Sequence, residues 1–200
     1  MVTLPGFDGS KNLLILGSPR SGTHPLASVL KQQWRFRYIG ETGMAQESAT
    51  PWRDFDIFCE PHAVPVLAHA VQSRAKLGAI VMVPEIKRHT YILALRRRDK
   101  VSQFASWIYF RNIGAIYNFD HRGRDYVAPA SFEVTYDDIE QFVIDQIIDD
   151  QFNADAVVYY EDLDLGTSII TRNQYCFDPK LMIRNIELVQ QHLAQWKYSR

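Results

Sequence analysis

The sequence predicts an α/β fold with three layers, in which helices flank a mostly parallel central sheet of about four to five strands. Short apolar runs typical of buried strands alternate with longer segments typical of helices. A turn bracketed by Gly17 and Gly22 joins the first of these runs to the first helical segment. This order favours strand-helix-strand units, whose strands are parallel and are covered on both faces of the sheet.

Five elements are predicted in the first part of the chain. Residues 13–17 form an apolar run that predicts a strand, and Leu26, Val29 and Leu30 have the spacing expected of a helix over 22–33. The remaining three are a strand over 35–39, a helix over 61–76 and a strand over the apolar run 79–83.

The second part of the chain continues the alternation. The apolar runs 91–95 and 156–160 predict strands, and helices are predicted over 100–111, 137–152 and 179–196. One connection, residues 84–90, is short for a parallel crossover, which takes about a dozen residues. Either the strands that flank it are not neighbours or one boundary is misplaced.

Composition predicts a single domain over residues 1–200. The chain has 200 residues, of which 46% are hydrophobic and 22% are charged, so it can bury a substantial core. The formal net charge is −1, which predicts no general attraction to nucleic acid or to an anionic membrane. Positive charge is local instead, at Arg20 and over residues 96–98.

The two cysteines and the N-terminal segment predict a cytoplasmic protein. Cys59 and Cys176 do not suffice for a disulfide scaffold, which favours a reducing compartment. No basic stretch precedes the first apolar run, so no secretory signal is expected. No apolar run approaches the ~20 residues of a membrane span.

The turn after the first strand predicts an anion site. Glycines at 17 and 22 allow a tight turn, and the following helix would present its first N–H groups and the positive end of its dipole. A Walker A loop has a lysine directly after its second glycine, whereas Thr23 and His24 follow Gly22 here. Arg20 is the cation of this loop, and no metal ion is expected.

The loop Pro19-Arg20-Ser21-Gly22-Thr23 resembles the 5'-phosphosulfate loop of the sulfotransferases, which have a P-loop-type fold. The resemblance implies a sulfuryl donor, 3'-phosphoadenosine 5'-phosphosulfate (PAPS), and no metal. It implies contacts to the donor from the loop residues and the histidine after them, namely Pro19, Arg20, Ser21, Gly22, Thr23 and His24. His24 is expected to bind a phosphate oxygen more readily than to abstract a proton.

A second segment resembles the 3'-phosphate site of the same family, in which a strand ends in an arginine and a serine follows eight residues later. Arg98 and Ser106 have that spacing. Arg97 takes the place of Arg98 if the helix begins one residue later, and Asp99 is a candidate N-cap. A guanidinium fork and a hydroxyl are suitable donors for a compact dianion.

A third segment, Tyr160-Glu161-Asp162-Leu163, follows the last predicted strand and also resembles a family motif. Its expected role is architectural, because a carboxylate at a strand end can pair with cations that line the neighbouring cleft. We do not expect Glu161 to be catalytic.

Sulfuryl transfer needs charge stabilisation on the departing phosphate and benefits from a base. Arg20 is the predicted stabilising cation. Glu41, at the carboxyl end of the second predicted strand, is the first candidate base, because ligands collect at that edge of open α/β sheets. Glu85, predicted to end the third strand, is the second candidate, and His24 is the third.

The acceptor that the resemblance implies is a hydroxyl or amine of a small molecule, a sugar or a lipid. The chain is shorter than most members of the family, so its acceptor pocket is expected to be thin, absent or completed by a second subunit in a homodimer. Two rival functions stay open. One is a P-loop nucleotide or small-molecule kinase, and the other is a non-catalytic protein that retains the fold and the nucleotide.

Overall fold

A computed structural model describes residues 2–42, 57–71, 84–109, 111, 131–149, 154–163 and 178–198. The chain divides into two compact units. Unit 1 comprises Met1–Arg98 with Asp145–Asn173, and unit 2 comprises Asp99–Ile144 with Gln174–Arg200. The prediction of one domain over residues 1–200 stays a prediction.

Unit 1 is built on a parallel sheet of five strands in the order β2-β3-β1-β4-β5. The strands are β1 (Asn12–Gly17), β2 (Arg37–Thr42), β3 (Val66–Val71), β4 (Thr90–Arg96) and β5 (Ala156–Tyr159). Helices α1 (Thr23–Gln33), after β1, and α2 (Pro84–His89), before β4, accompany them among the described residues of this unit. The predicted α/β fold with a parallel central sheet is confirmed.

Side chains of β1 alternate between the two faces of the sheet, as strand geometry requires. Leu13 and Ile15 pack in one buried cluster with Leu26 and Leu30 of α1. Leu14 and Leu16 belong to a second cluster, which includes Ile86 of α2. Because each face of the sheet has its own apolar cluster and its own helix, the sheet is the middle layer of unit 1.

Polar side chains fix the register at the start of the strands. The Asn12 side chain donates to the carbonyl of Glu60 at 2.9 Å and accepts from the N–H of Val66 at 2.9 Å. Asp155 accepts from the N–H of Ile92 at 2.7 Å and thereby aligns β5 with β4. A buried amide that is bonded on both sides avoids the cost of an unmet hydrogen bond.

The predicted helix over 61–76 is wrong, because the chain forms strand β3 there, with Val66, Leu67 and Ala68 fully buried. A short apolar run that is buried on both faces has no period that separates a strand from a helix. The predicted strand over 79–83 lies outside the described residues. In the connection over 84–90, α2 occupies Pro84–His89 and leads directly into β4 at Thr90.

Unit 2 has its own apolar core, formed by α3 (Lys100–Tyr109), the first part of α4 (Tyr136–Asp149) and α5 (Ile186–Tyr198). The helix predicted to start at residue 179 starts at Ile186 instead. A short 3-10 turn, Pro179–Met182, precedes it, and Ile183 pairs with Phe132 in an isolated parallel bridge. The Asn185 side chain bonds both the N–H and the carbonyl of Val134, which holds this stretch out of the helix.

Within the described part of the chain, no helix has both the length and the apolar character needed to cross a membrane.

Candidate functional site

The loop between β1 and α1 contains two residues in the left-handed region. Gly22 has φ 99° and caps α1, and Arg20 has φ 65°. Glycine adopts this conformation without steric cost, whereas an arginine there is strained. The N–H of Ser21 donates to the carbonyl of Ser18 at 3.1 Å, which closes the turn.

The N-terminus of α1 is built differently from that of α4. Gly22 offers no side chain to cap α1, and the first turn of α1 contains no acidic residue. In α4, by contrast, Asp138 accepts from the N–H and the hydroxyl of Thr135, and Asp137 adds a second carboxylate. The first turn of α1 therefore places no carboxylate at the positive end of the helix dipole, which suits an anionic ligand.

The inside of the loop is closely packed, so only glycine fits at two positions. A Cβ on Gly17 would lie 2.3 Å from Ser21 Oγ, and a Cβ on Gly22 would meet the Tyr160 ring at 2.4 Å. Ser21 Oγ is buried and has no hydrogen-bond partner among the residues described. An unmet buried hydroxyl costs ~1–3 kcal/mol, which an oxygen of a bound anion would offset. These residues fit a phosphate or sulfate group.

The arginines after β4 lie beside this loop, because β4 is the direct neighbour of β1 and Gly17 pairs with Leu95. Arg97 Nη1 makes a long hydrogen bond of 3.4 Å to the carbonyl of Arg20. Its guanidinium carbon lies 4.9 Å from the centre of the Tyr160 ring.

The segment after β5 holds both arginines, which confirms the pairing expected for this motif. Glu161 accepts from the N–H of Arg98 at 3.0 Å, and its carboxylate lies 3.8 Å from Arg97 Nε. Asp162 binds the Arg98 guanidinium with both oxygens, one of them at 2.7 Å from Nη2. This hydrogen bonding raises the pKa of Arg98 and lowers that of Asp162. Both partners are exposed to solvent.

A cluster of two histidines and a tyrosine lies beside the start of α1, and the sequence did not indicate it. The rings of His24 and His69 meet edge to face with centroids 4.6 Å apart. The Tyr38 hydroxyl and His69 Nδ1 are 3.0 Å apart and share a hydrogen bond. Burial, and then the nearby His24, lower the pKa of His69 to about 4. The prediction of a helix over 61–76 hides this contact, because His69 lies in strand β3.

The candidate bases have different positions in the sheet. Glu41 lies within β2, one residue before its end, and pairs in register with His69 of β3. The side chain of Glu41 is outside the described part of the structure. The prediction that Glu85 ends a strand is wrong, because Glu85 belongs to α2, which leads into the first residue of β4. Its backbone is therefore at the edge where the strands begin, opposite to the loop.

Ser106 is buried on α3 and belongs to unit 2, so its predicted role beside Arg98 stays a prediction. Asp99 is the N-cap of α3, because its carboxylate accepts from the N–H of Ser102 at 2.9 Å. No three His, Cys, Asp or Glu side chains form a metal-binding group within the described segments.

The described structure brings Pro19, Arg20, Ser21, Gly22, Thr23 and His24 to the same edge of the sheet as Arg97 and Arg98. This edge joins the carboxyl ends of β1, β4 and β5, which are adjacent in the sheet. The strand order also reverses at β1, with β2 and β3 on one side and β4 and β5 on the other. Comparison with known proteins adds no assignment: no protein-family model matches the sequence, and no curated protein matches it.

Proposed function

We propose that the protein is a sulfotransferase that transfers a sulfuryl group from PAPS to a hydroxyl or amine of an acceptor. One observation carries the proposal: the lysine-free anion loop after β1 and the arginines after β4 share one edge of the sheet. Open parallel sheets bind ligands at the carboxyl ends of their strands, where the strand order reverses. The loop resembles the phosphosulfate loop of that family, and its departure from Walker A disfavours a kinase.

In this proposal, the loop and the first turn of α1 hold the 5'-phosphosulfate through backbone N–H groups and Arg20. The donor, when bound, supplies an activated sulfuryl group on a phosphate. Arg20 stabilises the charge on that phosphate as the sulfuryl group departs, a contribution of ~3–4 kcal/mol in comparable oxyanion sites. Glu41 stays the first candidate to take the proton of the acceptor.

Arg98 binds the 3'-phosphate in this proposal, which requires it to leave Asp162. The exchange is feasible because the pair is exposed, and exposed ion pairs contribute little to stability. A phosphate dianion offers the same bidentate geometry with more charge. Cytoplasmic location, a homodimer and the class of acceptor belong to the proposal as expectations from the sequence.

Adenosine 3',5'-bisphosphate, the product of the donor, should raise the melting temperature of the protein without any metal. We expect Arg98→Ala to reduce this rise to that given by adenosine 5'-monophosphate, because the 3'-phosphate loses its guanidinium, and we expect Arg88→Ala, an exposed arginine on α2, to preserve it. The measurement is a thermal-shift comparison of the bisphosphate with ATP plus Mg²⁺. A shift with ATP and Mg²⁺ alone would replace the sulfotransferase by a kinase.

Glu41→Gln should leave the bisphosphate-induced shift intact but lower the rate of sulfuryl transfer ~100-fold or more, because a general base contributes ~10²–10⁴-fold. The rate is measured as PAPS consumption with a panel of alcohols, phenols and amines, and His24→Gln is the parallel variant. Equal turnover in wild type and Glu41→Gln would move the base away from Glu41.

A further inference from the structure

Arg97 and Arg98 are consecutive residues, but their side chains make different kinds of contact. The guanidinium of Arg98 is exposed, lies 4.1 Å from the centre of the Tyr159 ring and is bound by Asp162. The side chain of Arg97 is only 21% exposed and points into the protein, towards the loop backbone. A ligand can therefore reach Arg98 by displacing one surface carboxylate, whereas Arg97 is already part of the loop's support.

Arg97 bonds the loop at its most strained residue. The carbonyl that it contacts belongs to Arg20, the residue with φ 65°. A non-glycine residue in the left-handed region persists only where its surroundings hold it there. The contact to Arg97 is one such restraint.

Tyr160 and Glu161 hold Arg97 and the loop together. The Tyr160 ring packs against Gly22 closely enough to exclude a Cβ, and Arg97 lies over the same ring. Glu161 fixes the backbone of Arg98 at 3.0 Å and pairs with Arg97. We call Arg97, Tyr160 and Glu161 the brace.

We infer that Arg97 is a positioning residue: the brace holds the backbone of Arg20 to Gly22 in its anion-binding form, and Arg97 does not contact the nucleotide. The identity of the nucleotide rests on the proposed function, but the effect of the brace on the loop does not. The two adjacent arginines therefore have separate tasks, with Arg97 shaping the 5'-side loop and Arg98 recognising the 3'-phosphate.

Two nucleotides separate these tasks, because adenosine 5'-monophosphate lacks the 3'-phosphate of the bisphosphate. We expect Arg97→Ala to weaken the binding of both nucleotides by a similar factor, about tenfold, which is the effect of losing a hydrogen bond to a charged group. The ratio of their affinities should therefore be unchanged. Arg98→Ala should instead weaken the binding of the bisphosphate alone, so that the two nucleotides bind with similar affinity. The affinities are measured by isothermal titration calorimetry. Selective loss of the bisphosphate in Arg97→Ala would overturn the inference.

The chain offers a matched pair of tyrosines as controls. Tyr160→Leu removes the ring that packs on Gly22 and Arg97, so we expect it to behave like Arg97→Ala, whereas Tyr160→Phe keeps the ring and should bind normally. Tyr159→Leu removes the ring under Arg98 and should leave adenosine 5'-monophosphate binding unchanged. Weaker binding of that nucleotide in Tyr159→Leu than in Tyr160→Leu would contradict the assignment.

Hydrogen exchange in the ligand-free protein tests the brace without any nucleotide. The N–H of Ser21 is bonded within the turn, and we expect its exchange to become at least tenfold faster in Arg97→Ala and Tyr160→Leu but not in Tyr159→Leu. If Tyr160→Leu does not fold, Glu161→Gln replaces it, with Asp162→Asn as control. If the exchange of the Ser21 N–H is unchanged in these variants, the inferred role of the brace is refuted, even where nucleotides bind. Absence of nucleotide binding in wild type overturns the proposed function alone.

Discussion

Gly22→Ala should destabilise unit 1 and abolish anion binding at the loop. The backbone at φ 99° costs an L-residue ~1–2 kcal/mol. The new Cβ would also lie 2.4 and 2.5 Å from two atoms of the Tyr160 ring. Overpacking of this kind costs ~1–3 kcal/mol. We therefore expect a total loss of ~2–5 kcal/mol in the free energy of unfolding, measured by urea denaturation.

Gly40→Ala is the matched control, because Gly40 has φ 94° but no atom of the described residues lies within 4 Å of the position of its Cβ. It should lose only the backbone contribution and keep anion binding. A Tyr160→Ala background should reduce the cost of Gly22→Ala to that of Gly40→Ala. Equal losses in the two alanine variants of the otherwise unchanged protein would show that the contact with Tyr160 is unimportant.

Acid should destabilise the protein through His69. Burial and His24 lower the pKa of His69 to about 4, from an ordinary value of 6.5. Between these values the unfolded chain binds a proton at this site and the folded chain does not, so the stability rises with pH and is lost as the pH falls from 6.5 towards 4. A pKa difference of this size between the folded and unfolded states corresponds to about 3 kcal/mol in the free energy of unfolding.

The measurement is the free energy of unfolding in urea at pH 7, 5.5 and 4.5, for wild type and His69→Gln. We expect the variant to lack most of the acid-dependent loss, since glutamine does not titrate. His192→Gln, a histidine of unit 2, is the control and should keep the wild-type dependence. Parallel pH curves for wild type and His69→Gln would refute the role of His69.

Elements with a clear pattern were predictable within a few residues. β1, α1 and β4 were predicted because each is a fully apolar run or has an apolar stripe at helical spacing. β3 was missed, since its apolar run is buried on both faces and carries no period of its own. Without β3, the contacts of His69 with Tyr38 and His24 could not be predicted, because they require β3 to lie next to β2 in the sheet.

The candidate site was predictable at the level of segments but not of side-chain contacts. The rule that parallel strands end at one edge brings the loop and residues 96–98 together. The rule does not say which arginine turns towards the loop. That depends on the Tyr160 ring and Glu161, whose positions follow from how β5 ends. The expectation for Glu85 failed for a related reason, because α2 was not anticipated before β4.

The order in which the ribosome makes this chain has a consequence for its assembly. Residues 17–22 are synthesised early, yet Tyr160, which packs on Gly22, follows the last strand of the sheet. A nascent polypeptide that stops before Tyr160 therefore contains the turn without the ring that shapes it. Completion of the anion-holding surface should thus follow the synthesis of all five strands β1–β5.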